Sequence, residues 1–293
     1  IAHGATKAGA TVEMVDMKSA DLQEVRELVE RSQGLVVGMP PATGEVATQT
    51  RAVISTILGS VQAPQSVGLC ESGGGDDESI HVLAAKLRDL GLSMAFPPLR
   101  LDGAPTPATY QRAEEAGTDL GQWVNRDRTI QQMKALDNDL DRALGRLSGG
   151  LYIITAQQGE RSGAMLASWV SQASFQPLGL TIAVAKDRAI ESLMQVGDRF
   201  VLNVLEAGRY QHLMKHFLKR FAPGDDRFAG VKTQPATNGA PILTEALAYL
   251  ECTVATRMEC SDHWIIYATV DTGRVANPDG LTAVHHRKVG NHY

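Results

Sequence analysis

The run from Gly163 to Pro177 holds the residues best suited to chemistry in this sequence, because it combines small side chains with hydroxyls and amides around Trp169. Small residues let a planar ligand approach the backbone, and Ser and Gln supply hydrogen bonds without bulk. These properties are typical of a strand that holds a flavin ring and its phosphate. A Ser-rich edge strand that binds nothing has the same composition, so the run by itself leaves both interpretations open.

The overall composition limits the kinds of partner. The 293 residues carry 28 Lys and Arg against 33 Asp and Glu, which is not the basic balance of a nucleic-acid-binding protein. Cys70, Cys252 and Cys260 have no CxxC spacing and no zinc-type grouping with His, and their odd number favours reduced thiols. No apolar run approaches the roughly 20 residues of a membrane span. We therefore expect a cytoplasmic protein without a metal site, a nucleic-acid partner or a membrane segment.

Length and charge both indicate two domains. Residues 1–126 contain 10 basic and 16 acidic side chains, whereas residues 127–293 contain 18 and 17. A polar segment lies where the balance changes, so we place a linker at 127–139 and a second domain at 140–293. A helix that opens the second domain is predicted by leucines at helical spacing, Leu140, Leu144 and Leu147.

The first domain alternates predicted strands and helices. The strands are predicted at 11–15, 35–39, 66–70 and 92–101, and the helices at 20–32, 46–58, 79–90 and 107–123. Such alternation is typical of an α/β domain, in which helices cover both faces of a parallel sheet. Ligands bind at the carboxyl ends of these strands, where the loops at 39–45 and 70–76 lie.

This order resembles a flavodoxin-like domain that lacks its first strand and its phosphate loop. Residues 1–9 match the end of the first helix, with Gly9 as its stop signal, so we expect residues upstream of Ile1. Flavodoxins place an aromatic side chain beside the flavin, but the two surviving loops contain none. The carboxylates between Glu71 and Glu78 would repel a phosphate. Whether this domain holds a flavin is therefore left open.

The second domain consists mainly of predicted strands, at 151–156, 163–177, 180–185, 199–205, 247–258 and 263–275, with one helix at 189–196. This density of strands is typical of a closed barrel. A further group alternates basic and aromatic residues: Lys215, Phe217, Lys219, Arg220, Phe221, Arg227 and Phe228. It predicts either a helix with one apolar face or a mobile segment that attracts a nucleotide phosphate.

From about Leu140 to Tyr293 the chain resembles the flavin reductase-like family of FMN-binding split barrels. The matching pieces follow the family's order: Leu166 to Trp169, Gln172 to Ser174 with Pro177, Ala185 to Arg188, Phe200 to Leu205, Asp225 to Phe228, Asp262 to Trp264 and Lys288 to Tyr293. No single piece is specific, whereas their order over the whole domain is.

The resemblance implies FMN as the bound cofactor, NAD(P)H as the electron donor and a role for ten residues. The flavin-binding set is Leu166, Ala167, Ser168 and Trp169 against the isoalloxazine ring, Gln172 and Ser174 near the ribityl chain and phosphate, Lys186 and Arg188 at the phosphate, and Asn203. His263 is the implied catalytic residue, beside the nicotinamide. Structural alternatives remain open for three of them: Trp169 as core, Arg188 as a solvated helix-start residue and His263 as a structural histidine.

The two domains in this order resemble the carboxyl-terminal part of the cyanobacterial, class C flavodiiron proteins. In that family a metallo-β-lactamase-like domain, which this sequence lacks, carries a diiron site. The resemblance implies that NAD(P)H reduces FMN in the second domain, and that electrons pass through the first domain to a diiron site that reduces oxygen to water. It also implies a homodimer, or a hetero-oligomer with a related protein.

Two other functions are compatible with the same residues. The chain would be a flavin-binding electron carrier without its own NAD(P)H oxidation if its acidic first domain docks on a basic redox partner protein. It would be a regulatory subunit if its flavin sites are lost. The acidic loop after Cys70 favours this last interpretation for the first domain.

Overall fold

The computed structural model describes residues 1–39, 46–73, 79–126, 130 and 139–287. The chain divides into two compact units, residues 1–127 with 222–224 and residues 128–221 with 225–293. The predicted linker at 127–139 falls almost entirely outside the described residues. None of the described helices is long and apolar enough to cross a membrane.

A parallel sheet and five helices make up the described part of the first unit, as the alternating sequence pattern predicts. The first strand pairs with the second in parallel, and the second pairs in parallel with both the third and the fourth. The strands are β1 (Gly34–Met39), β2 (Ser66–Ser72), β3 (Ser93–Met94) and β4 (Leu99–Leu101). The helices are α1 (Ala2–Lys7), α2 (Leu22–Arg31), α3 (Val46–Ser60), α4 (Ser79–Asp89) and α5 (Pro107–Val124).

Both faces of this sheet are buried. Successive side chains of β2 point in opposite directions, and each face packs against helices in a cluster of its own. Val67 and Leu69 belong to a core cluster with buried residues of α2, α3 and α4. Gly68, between them, faces the ring of Phe96, which belongs to a second cluster with α5. A Cβ at position 68 would stand 2.3 Å from Phe96 Cζ, so this strand needs glycine where the ring packs.

One strand prediction in the first unit is wrong, and another is confirmed over part of its range. Residues 11–15 form no strand: Met14 is 83% exposed, and within the described residues no strand pairs with this segment. Alternating apolar residues make a strand only where a neighbour takes their backbone hydrogen bonds. The single strand predicted at 92–101 is interrupted, because Pro97 and Pro98 have no N–H to donate to a ladder.

The remaining predicted helices and strands of this unit are present, and Gly9, at φ +83°, ends the short first helix as expected. Of the two loops predicted to meet a ligand, at 39–45 and 70–76, residues 40–45 of the first and 74–76 of the second lie outside the described residues.

An antiparallel sheet of seven strands forms the second unit. Its strands are β6 (Tyr152–Gln158), β7 (Arg161–Ala167), β8 (Val170–Phe175), β9 (Leu178–Ala185), β10 (Arg199–Val204), β13 (Ala248–Cys260) and β14 (His263–Val275). They lie in the order β7-β6-β10-β13-β14-β9-β8. Each of them contributes to one core cluster, so the sheet curls around that core as a barrel. The predicted mainly β, barrel-like fold is confirmed for this unit.

The barrel is split between β7 and β8. These two strands are consecutive in the chain, yet they are the two outer edges of the sheet, and no ladder joins them. Only Ser168 and Trp169 connect them. The run at 163–177, predicted as one strand, is therefore two strands on either side of the opening.

Smaller elements surround the barrel: α6 (Asp139–Leu144), β5 (Gly149–Gly150), a 3-10 helix (Ala189–Leu193), α7 (Gln211–Leu218), the hairpin β11 (Thr233–Pro235) with β12 (Pro241–Leu243), and β15 (Val284–His285). Leu147 lies outside α6. The helix predicted at 189–196 is shorter than expected, because Gln195 N donates at 2.7 Å to the side chain of Asp198 in a turn.

The basic and aromatic group around Phe221 is helical only in its first part, because α7 ends at Leu218. Leu213 and Phe217 of α7 are buried and pack in one cluster with Leu166 of β7. Beyond the end of α7, Lys219 Nζ stands 4.7 Å from the Phe221 ring centroid, and the guanidinium carbon of Arg227 stands 5.2 Å from it.

Candidate functional site

The two residues that bridge the split are tightly held on both sides. Trp169 O accepts a hydrogen bond from Ala183 N of β9 at 3.0 Å. On the other side, a Cβ at Gly149 would stand 2.2 Å from Ser168 O, so the backbones of β5 and the bridge are in direct contact. The position of Trp169 is therefore set by backbone contacts, which is what a ligand-binding aromatic residue needs.

Trp169 forms a ring pair with His263. Their centroids are 5.1 Å apart and their planes are inclined by 34°. His263 begins β14, opposite Ala185, and its Nδ1 lies 2.9 Å from Asp262 Oδ1. Trp169 is 38% exposed, so it is not the core residue that its type alone allowed. Two of the predicted site residues, distant in sequence, are thus brought together.

Small side chains lie in the sheet between these two rings. Strand β9 separates β8 from β14, and its Ile182 and Val184 are buried in the barrel core. Ala183 and Ala185 alternate with them and consequently face outward. The outer surface of β9 beside the Trp169–His263 pair therefore carries only small side chains, which let a flat ring approach the backbone there.

Ser168 adds a hydrogen-bonding group to this part of the molecule. It is 3% exposed, and its Oγ has no hydrogen-bond partner within the described residues. A buried hydroxyl without a partner is unfavourable by about 1–3 kcal/mol, so such groups commonly mark a ligand or an ordered water. The predicted role of Ser168 in binding is consistent with this geometry.

Gln172 and Ser174 lie on the exposed edge strand β8. Ser174 Oγ donates to Pro177 O at 2.7 Å and lies 2.9 Å from the Tyr267 hydroxyl. Gly179 makes room for this pair, because a Cβ there would stand 2.6 Å from both oxygens. Ser174 is thus engaged within the protein, whereas Gln172 is exposed on the same strand.

Lys186 is not with the Trp169–His263 pair. Its ammonium forms a close ion pair with Glu259 and stands 5.3 Å from the Trp264 ring centroid. Trp264 packs against the barrel core, and its neighbour His263 points to the opposite face of β14. Because the Lys186 ammonium lies by Trp264, it is on the other face of β14 from His263. Arg188 is half exposed, 4.0 Å from Asp187, at the start of the 3-10 helix.

Three other residues predicted to contact a flavin have side chains that pack or form hydrogen bonds within the protein. Asn203 is fully buried: its Nδ2 donates to Ile153 O at 3.1 Å, and its Oδ1 accepts from Leu243 N at 2.8 Å. Ala167 is buried in the barrel core, and the Leu166 side chain packs beneath α7. The contacts of these three residues with a flavin stay predictions.

Two arginines near these aromatic rings were missed from the sequence. The guanidinium carbon of Arg287 lies 5.1 Å from the Trp169 centroid, and that of Arg257 lies 4.2 Å from the Trp264 centroid, where it also forms a buried ion pair with Glu191. The basic run at 285–288 was the available signal for Arg287. The predicted terminal piece at 288–293 lies outside the described residues. Among the described residues, no group of three or more His, Cys, Asp or Glu forms a metal site.

The second unit is a split antiparallel β-barrel, with the Trp169–His263 pair beside the split. The family model "Flavin reductase like domain" matches residues 144–291, so the chain belongs to the flavin reductase-like family. The predicted family is confirmed.

Relatives extend the similarity to the whole chain. It is 67% identical over 294 residues to a "Putative diflavin flavoprotein A 3" of Nostoc sp. and 63% identical over 293 residues to the "Diflavin flavoprotein A 1" of Synechocystis sp.. Each alignment covers 100% of this chain and 51% of the relative, so the chain spans about half the length of these proteins. The predicted resemblance to cyanobacterial two-flavin proteins is confirmed.

Among solved structures, the NADH:FAD oxidoreductase of Streptomyces globisporus is 27% identical with a TM-score of 0.46, over 55% of this chain and 90% of that one.

Proposed function

We propose that residues 140–293 bind FMN at the split of the barrel and oxidise NAD(P)H there. The observation that carries the proposal is the Trp169–His263 ring pair beside the Ser168 hydroxyl, which has no hydrogen-bond partner in the described part of the chain, in a protein of the flavin reductase-like family.

The residues at the split fit a flavin. Ala183 and Ala185 keep the surface beside Trp169 low, as a planar ring system requires. Ser168 has a free hydrogen-bonding capacity that a ribityl hydroxyl or a ring carbonyl would use. Trp169 and Ser168 would hold the cofactor, whereas the engaged side chains of Lys186 and Asn203 contribute through the fold.

A bound flavin supplies the redox chemistry, because it accepts a hydride from the nicotinamide and releases the electrons to a further acceptor. The protein supplies position and exclusion of water. Trp169 would cover one side of a bound flavin, and His263, whose Nδ1 contacts Asp262, would offer Nε2 to the nicotinamide carboxamide. Hydride transfer depends on this fixed geometry, because both reactants must be in contact and aligned.

We extend the proposal to the first unit as a flavodoxin-like domain, in which a second flavin would receive the electrons and pass them to a diiron oxygen-reducing site outside this chain. The names of the two-flavin relatives and the parallel sheet of the first unit support this path. A homodimer, or a hetero-oligomer with a related protein, would bring the domains of different copies together. The three free cysteines support a reducing, cytoplasmic location.

The proposal is tested by loading the purified chain with FMN and mixing it anaerobically with NADPH or NADH in a stopped-flow spectrometer. Loss of the oxidised flavin absorbance within turnover time is the expected result. A flavin that binds but stays oxidised would identify an electron carrier that needs a partner protein. A chain that binds no flavin would overturn the proposal in favour of a regulatory subunit.

A further inference from the structure

Four hydroxyl side chains lie next to one another on three adjacent strands of the barrel sheet. Ser171 of β8 is opposite Thr181 of β9, and Thr181 is opposite Tyr267 of β14. Ser174 of β8 joins them, because its Oγ lies 2.9 Å from the Tyr267 hydroxyl oxygen. We call these four residues the hydroxyl cluster. Tyr267 does not belong to the predicted flavin-binding set.

The hydroxyl cluster lies on the outer face of the sheet, beside the small side chains of β9. The residues on either side of Thr181 and of Tyr267 are buried in the barrel core, so these two side chains point outward. Ala183 is two residues along β9 from Thr181, a distance of about 7 Å, and its N–H donates to Trp169 O. A ligand whose ring lies on β9 beside Trp169 would therefore bring the chain attached to that ring to the hydroxyl cluster.

The protons of Ser174 and Tyr267 are both used within the protein. Ser174 Oγ donates to Pro177 O at 2.7 Å, and a serine hydroxyl has only one proton to donate. Tyr267 must therefore be the donor in its 2.9 Å contact with Ser174 Oγ. Each of the two hydroxyl oxygens has two lone pairs, so both keep the capacity to accept a further hydrogen bond.

The other two members of the hydroxyl cluster direct their protons in the same way. Thr181 Oγ1 donates to Ser171 O at 3.4 Å, and Ser171 Oγ donates to Gln172 O at 3.3 Å. The hydroxyl cluster thus offers acceptors rather than donors. The oxygens of an ionised phosphate are acceptors too, so the two do not match. A sugar hydroxyl brings its own proton and does match.

We infer that the hydroxyl cluster, with Tyr267 as a binding residue, accepts hydrogen bonds from sugar hydroxyls of the ligand at the split. The inference rests on the proposed function for the nature of the ligand, since both the ribityl chain of a flavin and the ribose of a nicotinamide nucleotide carry such hydroxyls. It narrows the predicted role of Ser174, near the ribityl chain and phosphate, to hydroxyl groups.

The test compares Tyr267→Phe with Tyr249→Phe, a matched control because Tyr249 packs in a separate cluster with Val201 and Ile242. Ser174→Ala, which removes the other oxygen of the pair, is the second variant. Flavin fluorescence gives the affinities for FMN, for riboflavin, which lacks the phosphate, and for lumiflavin, which lacks the ribityl chain. NADP⁺ is titrated into the chain saturated with FMN, and circular dichroism verifies that each variant is folded.

Tyr267→Phe removes one acceptor and is expected to weaken binding of the sugar-bearing ligand about 2- to 10-fold. If the sugar is the ribityl chain, FMN and riboflavin binding weaken equally and lumiflavin binding is unchanged. If it is the ribose of the nucleotide, NADP⁺ binding weakens and the affinities for all three flavins are unchanged. Ser174→Ala should weaken binding of the same ligand.

Three results would overturn the inference. A larger loss for FMN than for riboflavin would mean that Tyr267 contacts the phosphate. An equal loss for lumiflavin would mean that Tyr267 acts on the ring or through the fold. The third is Tyr267→Phe behaving like Tyr249→Phe with every ligand.

The failure of the proposed function gives a different result. The unsubstituted chain would then bind neither flavin nor NADP⁺, and the inference would be overturned together with the function. The inference fails by itself when the unsubstituted chain binds these ligands and Tyr267→Phe binds each of them with the same affinity.

Discussion

Replacing Gly149 by alanine should destabilise the second unit and displace its bridge. The new Cβ would stand 2.2 Å from the Ser168 carbonyl oxygen, so one backbone must move by at least about 0.8 Å to reach the 3.0 Å below which such contacts essentially never occur. Neither backbone is free to move, because Gly149 pairs with His285 and Trp169 O accepts from Ala183 N. Overpacking of this kind costs about 1–3 kcal/mol.

That cost corresponds to a fall in the unfolding midpoint of about 2 to 12 °C for a unit of this size. The neighbouring Gly150→Ala variant is the matched control. A Cβ there would meet only the side chain of Tyr152, at 2.3 Å from its hydroxyl oxygen, and a side-chain end can move aside. Thermal unfolding followed by circular dichroism should therefore separate two adjacent glycines.

Flavin titration of the same variants reports on the bridge itself. A displaced Ser168–Trp169 link should weaken FMN binding in Gly149→Ala more than in Gly150→Ala. Equal unfolding midpoints for Gly149→Ala and the unsubstituted chain would refute the argument from the backbone contact. So would a lower midpoint for Gly150→Ala than for Gly149→Ala.

Three further substitutions test separate parts of the second unit. His263→Gln should slow flavin reduction by NADPH about 10- to 100-fold at unchanged flavin content, whereas His212→Gln, at an exposed position, should not. Equal rates of flavin reduction in the His263→Gln variant and the unsubstituted chain, measured by stopped-flow mixing, would exclude a role for His263. Arg257→Met should cost about 3–5 kcal/mol in denaturant unfolding, because it removes the arginine that pairs with the buried Glu191 carboxylate. The double variant with Glu191→Leu should recover most of that stability, and no recovery would contradict the ion-pair argument. Asn203→Leu should lower stability by about 1–3 kcal/mol while the chain that remains folded binds FMN normally, and a selective loss of FMN would restore its predicted binding role.

The sequence predicted the strands that can be recognised from alternating apolar and polar residues. The hairpin of β13 and β14 was expected from two long runs of alternating residues, and it forms over thirteen residues on each side. Residues 11–15 carry the same kind of pattern and form no strand, because a strand depends on a neighbour that local sequence does not specify.

The candidate site was predictable in part for a similar reason. The order of the family's pieces located Trp169 and His263, but the distance between their rings is set by the pairing of β14 with β9. Lys186 lies with Trp264 on the face of the sheet opposite His263. A shift of one residue in strand register would have placed it on the same face as His263. Arg287 was missed because its contact depends on the pairing of two-residue strands, β5 and β15, which have too few residues to show periodicity.

The two-residue bridge also limits how wide the barrel can open. Three residue steps separate Ala167, the last residue of β7, from Val170, the first of β8, and an extended chain covers at most roughly 11 Å in three steps. Paired strands lie about 4.8 Å apart, so at this end the aperture is limited to little more than two strand spacings. The length of the chain between Ala167 and Val170, rather than side-chain packing, thus sets an upper limit on the thickness of anything inserted there, and one added residue would raise that limit by about 3.5 Å.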